Sequence, residues 1–396
     1  MTSNMRVVIF NQFAIPRSEG GITRHVDIFG RLEGIDTTFV AGNRNYSNQQ
    51  VIVTDDTRFL FVPVVSYSSG AVRRVVSWLQ FLFGSMVFFR KIPQVDVSIG
   101  SSPQLLAGLA AYLFARRRRV PFVFEVRDIW PESFVALGRL TRRSPLYVAL
   151  RMLEKFLVRK ADHIVVVTDG WFPHFEKIGA TSGKYSVVPN GADLSFDIPA
   201  SERMRVRERL SLSRVTAVFT GSHGPKDGLH EVLDAAVQVP EIDFLLVGHG
   251  LQKEELIERA RQEGISNVRF LPHVSKDELR DLLGACDVGI HCVAPLELFE
   301  KGMSPNKLYD YLAAGLPIVS NAGEGVQNIV QDGVAGAVGG AGSLASGLRR
   351  VLNADAEQLE AWRKGGRAII ASRYSIDDAS SKYESVLARL VSDSSE

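Results

Sequence analysis

The run Ser304-Pro305-Asn306-Lys307-Leu308-Tyr309-Asp310, closed by Gly315 and Pro317, has the residue types of a helix start that binds phosphate. Ser304 is a good N-cap, Pro305 suits the first helical position, and Gly315 with Pro317 ends the helix. Lys307 then falls in the first turn, where the helix dipole disfavours a cation. An anion shared between Lys307 and the unpaired amides around Asn306 removes that conflict; a solvated surface lysine is the plain alternative. Asp310, one turn further, is within reach of ribose hydroxyls.

Five other segments carry chemistry of a related kind. Thr220-Gly221-Ser222-His223-Gly224-Pro225-Lys226-Asp227-Gly228 follows an apolar run and combines three glycines, donors at Ser222 and His223, and the charge of Lys226. Such a loop can cradle phosphate oxygens with backbone amides while the lysine supplies charge. Val247-Gly248-His249-Gly250 and Leu271-Pro272-His273-Val274 end two further apolar runs, where Gly248, His249 and Val274 suit a flat base, although each alone also reads as a turn. Gly20-Gly21 before Thr23-Arg24 lets backbone approach a phosphate, as does any tight turn. In Arg127-Asp128-Ile129-Trp130-Pro131-Glu132, Asp128 and Glu132 are placed to meet acceptor hydroxyls or a transferring sugar. The alternative there is a structural Arg127–Asp128 ion pair.

Elements that could hold these loops are legible along the chain. The 396 residues suit two domains. Short β-branched runs alternate with helical patterns, as in parallel sheets with helical crossovers. Thirteen strands are predicted, seven in the first half from Arg6–Phe10 to Tyr185–Val188 and six in the second from Val215–Phe219 to Gly336–Val338. The expected division is 1–195, 196–373 and a C-terminal helix, 374–396, that returns to the first domain. Ligands of open parallel sheets bind outside the carboxyl ends of strands, so the loops above are expected to face an interdomain cleft.

Composition narrows the setting. Cys286 and Cys292 cannot make a disulfide framework, and they lack metal-ligand spacing. Met5–Phe10 reads as a strand and not as a signal peptide, so a cytoplasmic protein is expected. Residues 1–195 hold 24 Lys/Arg against 15 Asp/Glu, whereas the remainder holds 22 against 29. That asymmetry directs the first half towards an anionic surface, or else the two halves towards each other. Between Asp56 and Asp96 there is no acid, and Trp78 lies in an uncharged core, Val75–Phe89, flanked by Arg73-Arg74 and Arg90-Lys91. At 15 residues this core is short of the roughly 20 that span a bilayer. It reads either as a buried crossover helix or as a helix lying in a membrane interface, with Arg116-Arg117-Arg118-Arg119 and Arg139, Arg142 and Arg143 extending the basic surface.

Taken in order, Gly20-Gly21, Arg127–Glu132, Val188-Pro189-Asn190-Gly191, Lys226-Asp227-Gly228 and Ser304–Gly315 resemble the GT-B glycosyltransferases of family 4. More narrowly they are similar to the bacterial fucosamine-transferase-like group of lipopolysaccharide, capsule and exopolysaccharide synthesis. The resemblance covers essentially the whole chain. It implies an α/β fold of two doubly wound Rossmann-like domains and a nucleotide-sugar donor held mainly by the second. It also implies a polyprenyl-diphosphate-linked saccharide acceptor at the first, retention of anomeric configuration, and peripheral association with the inner face of the cell membrane. Lys226 would neutralise the leaving diphosphate, Gly21 would contact it from the opposite wall, Asp310 would hold the ribose, and Asp128 would stand near the reacting sugar. Two positions depart from the pattern: Gly302 stands where the first of two glutamates is usual, and Gly221 where an arginine is usual. No cofactor is implied, and without an Asp-x-Asp or a histidine cluster no metal is expected. A sugar-nucleotide epimerase and a non-catalytic nucleotide-sugar-binding subunit are the alternative readings.

Overall fold

The computed structural model describes residues 4–19, 23–46, 48–67, 71–196 and 198–393. The chain divides into two compact units, one of residues 1–189 with 377–396 and the other of residues 190–376. The first contains a seven-stranded sheet in the order β3-β2-β1-β4-β5-β6-β7. Its strands are β1 (Met5–Phe10), β2 (Ile35–Gly42), β3 (Phe59–Val62), β4 (Val97–Ser101), β5 (Phe122–Val126), β6 (His163–Val166) and β7 (Tyr185–Val187). The second contains six strands in the order β10-β9-β8-β11-β12-β13. These are β8 (Val215–Thr220), β9 (Ile242–Val247), β10 (Val268–Leu271), β11 (Val288–His291), β12 (Ile318–Ser320) and β13 (Gly336–Val338). All neighbouring strands pair in parallel. In both sheets the strand order reverses beside the first strand, which opens a crevice at the carboxyl ends.

The central strands read as continuous apolar runs because helices cover both faces. Val7–Phe10 and Phe122–Phe124 in the first sheet, and Ala217–Phe219 and Phe244–Leu246 in the second, are almost wholly buried. Among the described residues, no helix is long and apolar enough to cross a membrane.

The division between units falls at Pro189/Asn190 and Ile376/Asp377, not at 195/196 and 373/374. Backbone pairing explains the shift. The Ala192 amide donates to the Tyr374 carbonyl (3.1 Å) and the Ile376 amide donates to the Ala192 carbonyl (3.3 Å). Gly191 permits that approach, since a Cβ there would lie 2.5 Å from the Tyr374 carbonyl oxygen. Residues 190–192 and 374–376 are thus one paired element of the second unit. The helix that follows, Ile376–Asp393, packs within the first unit, where the Ser380 hydroxyl donates to the Ile28 carbonyl at 2.9 Å.

One polar cluster lies inside the first unit. Glu125, in β5, is fully buried. Its Oε1 accepts from Arg24 Nε (3.1 Å) and the Tyr383 hydroxyl (2.5 Å). Its Oε2 accepts from His25 Nε2 and the Ser101 hydroxyl, both at 2.6 Å. The Asn11 amide donates to His25 Nδ1 (3.2 Å), which leaves the imidazole proton on the nitrogen facing the carboxylate. Burial alone pushes the Glu125 pKa up, but His25 and Arg24 more than offset it and hold the group well below the ordinary carboxylate range. Arg24 also donates to the carbonyls of Val188 and Pro189, each at 2.7 Å. Tyr383→Phe should therefore leave the carboxylate one donor short and cost about 1–3 kcal/mol, read as a lower denaturant midpoint at unchanged slope.

His163 gives a second test. Burial first, then Arg389, lowers its pKa from 6.5 to about 4. The folded state disfavours the charged ring, so this stabilisation is complete above about pH 6.5 and is lost as pH falls towards 4. Wild type should lose about 1.4 kcal/mol per pH unit more than His163→Asn across that window. Parallel pH–stability curves would contradict the assignment.

Candidate active site

In the second unit the ends of β8, β9 and β10 are laced together. The Gly221 amide donates to Val247 (3.0 Å), His223 to His249 (2.9 Å) and Gly248 to Leu271 (3.2 Å). Gly248 sits at φ +145°, and a Cβ there would stand 1.9 Å from the Gly221 carbonyl oxygen. Only glycine allows the two loops to stack this closely. Lys253 closes the back of the layer, donating to the carbonyls of Gly248 and Leu271 at 2.7 Å each.

The helix of the lysine motif runs Asn306–Ala313. Its N-cap is Pro305, in an extended conformation, and Ser304 does not cap it as expected. The Ser304 hydroxyl instead accepts from the Asn190 amide (3.1 Å) and bonds the Tyr309 hydroxyl (2.7 Å). Lys307, in the first turn, reaches across to the β8 end. Its ammonium lies 3.7 Å from the centroid of the Phe219 ring and 3.3 Å from Asp227 Oδ1. Asp227 Oδ2 accepts from Ser222 at 2.5 Å. A Cβ on Gly221 would meet the Lys307 ammonium at 3.0 Å, so this lysine occupies the space above the residue where an arginine was expected. Burial pulls its pKa down while the Asp227 carboxylate works in the opposite direction.

The remaining expected donor contacts divide. Lys226 is exposed on the turn Pro225–Asp227, and Asn306, His249 and Ser222 are exposed as well. Val274 is half-buried. Asp310 is buried and accepts from Lys276 Nζ at 2.8 Å, a partner 34 positions away that sequence reasoning did not identify. His223 was expected to face the donor, but its ring is fully buried between Phe219 and Phe270, with neither nitrogen hydrogen-bonded. Burial lowers its pKa to about 4 and keeps it neutral. His291, also unforeseen, is buried with Nδ1 2.9 Å from the Ser320 hydroxyl and is held down to about 3 by burial and by Lys307. Gly302 has φ +103°, a backbone that side-chain-bearing residues rarely adopt. Glu297, close by in sequence, is largely exposed and pairs with Lys301 at 3.2 Å.

In the first unit the alternative reading, an ion pair between Arg127 and Asp128, is not what forms. Asp128 Oδ1 accepts from the Ser133 hydroxyl, which also donates to the Ile129 carbonyl. Glu132 begins the helix Glu132–Ala136, and its carboxylate accepts from the Tyr147 hydroxyl (2.6 Å) and Arg142 (3.1 Å). Both its oxygens are engaged, so it braces the loop. A small concavity beyond β1–β3 is lined by Phe13, Arg44, Tyr46, Gln49 and Tyr67. Gly20 and Gly21 lie outside the described residues.

The basic-aromatic segment forms the helix Ala71–Phe88. Trp78, expected on an outward face, is buried against Trp130 (ring centroids 4.9 Å apart) because Trp130 and Phe134 complete an aromatic cluster there. The outward stripe is Val72, Val76, Leu79, Phe83 and Val87, all exposed. Arg73, Arg90, Lys91, Arg116 and Arg117 are exposed around it, while Arg74 lies over the Tyr67 ring. Val148, Met152 and Phe156 of the helix Pro145–Lys160 form a second exposed stripe on the same unit.

Comparison with known proteins adds the family. Residues 30–191 match the model described as a glycosyl transferase 4-like domain, and residues 214–354 match that of glycosyl transferases group 1. The chain is 24% identical over 228 residues to WcaI of Escherichia coli K12, named for colanic acid biosynthesis, and 26% identical over 265 residues to the glycosyltransferase WbjE of Pseudomonas aeruginosa. These alignments cover 56% and 62% of this chain and the same shares of those two proteins, so the chain spans less than two thirds of either relative. Among solved structures, HepE of Anabaena in complex with UDP-glucose superposes with a TM-score of 0.72 at 17% identity, over 97% of this chain and 100% of that one. WaaG, a glycosyltransferase involved in lipopolysaccharide biosynthesis, gives 0.70 at 16% identity over 98% and 99%. With each half matched by a glycosyltransferase model, and with two Rossmann-like units of seven and six parallel strands, the chain belongs to the GT-B glycosyltransferases.

Proposed function

We propose that the chain is a retaining glycosyltransferase of surface polysaccharide synthesis. It moves a sugar, of the amino- or deoxysugar class, from a nucleoside-diphosphate donor to a polyprenyl-diphosphate-linked saccharide at the inner face of the cell membrane. The observation that carries this reading is Lys307, a nearly buried ammonium held above Gly221 at a strand end beside a helix start. It is a fixed positive charge at a helix start, the arrangement that stabilises a leaving diphosphate. Lys226 adds a second, exposed cation on the same loop. The polysaccharide assignment is supported by the names of WcaI and WaaG, and the donor class by the complex of HepE with UDP-glucose.

In this mechanism positioning and leaving-group stabilisation carry the reaction, without a metal or cofactor. The bond between the anomeric carbon and the diphosphate oxygen breaks as the lysines take up charge. The acceptor hydroxyl attacks from the same face of the sugar, forming the glycosidic bond as its proton passes to the departing diphosphate oxygen. Asp128, with one oxygen fixed by Ser133, meets the reacting sugar, while Glu132 holds the loop through Tyr147. The exposed stripe Val72–Val87 and its basic flanks rest on anionic lipid, with apolar side chains in the acyl boundary and Arg/Lys on headgroups.

Gly302 favours a second reading, that of a subunit that binds donor without turning it over, since its φ of +103° is a backbone that a carboxylate-bearing residue rarely adopts. A donor panel with a lipid-diphosphate sugar acceptor separates the two. Transfer predicts nucleoside diphosphate released only with acceptor present; an epimerase converts donor alone, and a binding subunit releases none. Lys307→Ala and Lys226→Ala should each weaken nucleoside-diphosphate binding by about 1–3 kcal/mol in calorimetry. Unchanged affinity in both would remove the anion-site assignment. Neutralising Arg73, Arg90 and Lys91 together should release the protein from anionic vesicles in co-sedimentation, and undiminished pelleting would mean that this surface does not bind lipid.

A further inference from the structure

Arg127 follows Glu125 by two positions at the carboxyl end of β5, and so lies on the same side of the strand. Its backbone amide is fixed by the Ser102 hydroxyl at 2.8 Å. Its guanidinium, by contrast, forms no ion pair and no hydrogen bond among the described residues, and its Nη1 is sealed from solvent without a partner. The two acids nearest in sequence are already engaged. Glu125 accepts from Arg24, Tyr383, His25 and Ser101, and Asp128 accepts from Ser133. Arg24 balances the charge of Glu125, and the neutral His25 adds none. Burial lowers the Arg127 pKa to about 10, so it remains a cation at neutral pH. Around Glu125, therefore, two guanidiniums, Arg24 and Arg127, face one carboxylate, and only Arg24 is bonded to it.

Arg127 is half-buried, and a guanidinium nitrogen sealed from water without a partner carries a cost that is relieved when an anion arrives. A guanidinium offers a planar fork of donors that matches phosphate oxygens. Its place, outside the end of a central strand of an open parallel sheet, is where such sheets bind ligands. We infer that Arg127 is a phosphate-binding residue of the first unit, completing its hydrogen bonding only when a substrate diphosphate docks there. The inference deepens the transferase reading, which names two carriers of that group: the nucleoside-diphosphate donor and the lipid-diphosphate acceptor.

Arg127→Met keeps an unbranched apolar stem and removes the charge, and it is read without turnover. Calorimetry with inorganic pyrophosphate should show at least tenfold weaker binding, while Tm is retained or raised because a sealed guanidinium nitrogen without a partner is gone. Unchanged pyrophosphate affinity would overturn the assignment. So would a marked fall in Tm, which is the signature of a structural partner of Glu125. Arg127→Lys, which keeps charge and loses the fork, should bind pyrophosphate with intermediate affinity; affinity equal to that of Arg127→Met counts against fork recognition. Titrating wild type and Arg127→Met with UDP and with a short prenyl diphosphate identifies the carrier by which affinity falls, and a fall in neither overturns the proposal. Because none of these measurements needs sugar transfer, they stand apart from the donor panel.

Discussion

A carboxylate with no access to water organises the first unit. Left alone, an ionised Glu125 in the middle of a sheet would cost several kcal/mol. It is tolerable because donors converge on it from separate stretches of chain: Arg24 and His25 after β1, Ser101 at the end of β4, and Tyr383 in the last helix. None of these elements can move without leaving a charge unpaired. Arg24 transmits the constraint to the carbonyls of Val188 and Pro189, the last residues of the unit before the chain leaves it. The segment leaving the unit and the helix returning to it are therefore tied to one side chain.

The second unit solves a different problem, that of bringing backbone close to backbone. Gly248 lets the β9 loop sit on the Gly221 carbonyl, and Lys253 satisfies two carbonyls beneath it. The resulting shelf is rigid, and Lys307 projects over it from the facing helix start. A lysine there is held by an aromatic face and a carboxylate at once. A cation held in this way has its position fixed by the fold before any ligand arrives.

Much of this was legible in the sequence, and the misses have physical causes. The strands read correctly because parallel sheets covered on both faces demand unbroken apolar runs, such as Val215–Phe219 and Phe122–Phe124. The loops after them were legible as strand ends because their glycines mark places where backbone approaches backbone, as at Gly248. Side-chain direction was not legible. Trp78 turns inward because Trp130, 52 positions later, completes its cluster. The His223 ring turns into the core, although its neighbour Ser222 reaches solvent. Ser304 failed as a cap because Pro305 is itself extended and leaves the serine to hold Asn190. Glu125 did leave a signal: an acid inside Phe122-Val123-Phe124-Glu125-Val126 must find partners, though the sequence does not say which.

The pairing of Ala192 with Ser375 has a topological meaning. The second unit begins and ends at the same place, on two hydrogen-bonded segments, so the chain is a host domain interrupted by a guest. A guest whose ends are already joined keeps its strand order whatever it is inserted into. Residues 190–376 are in that sense a transplantable module, whereas the host is complete only after its last helix has been synthesised.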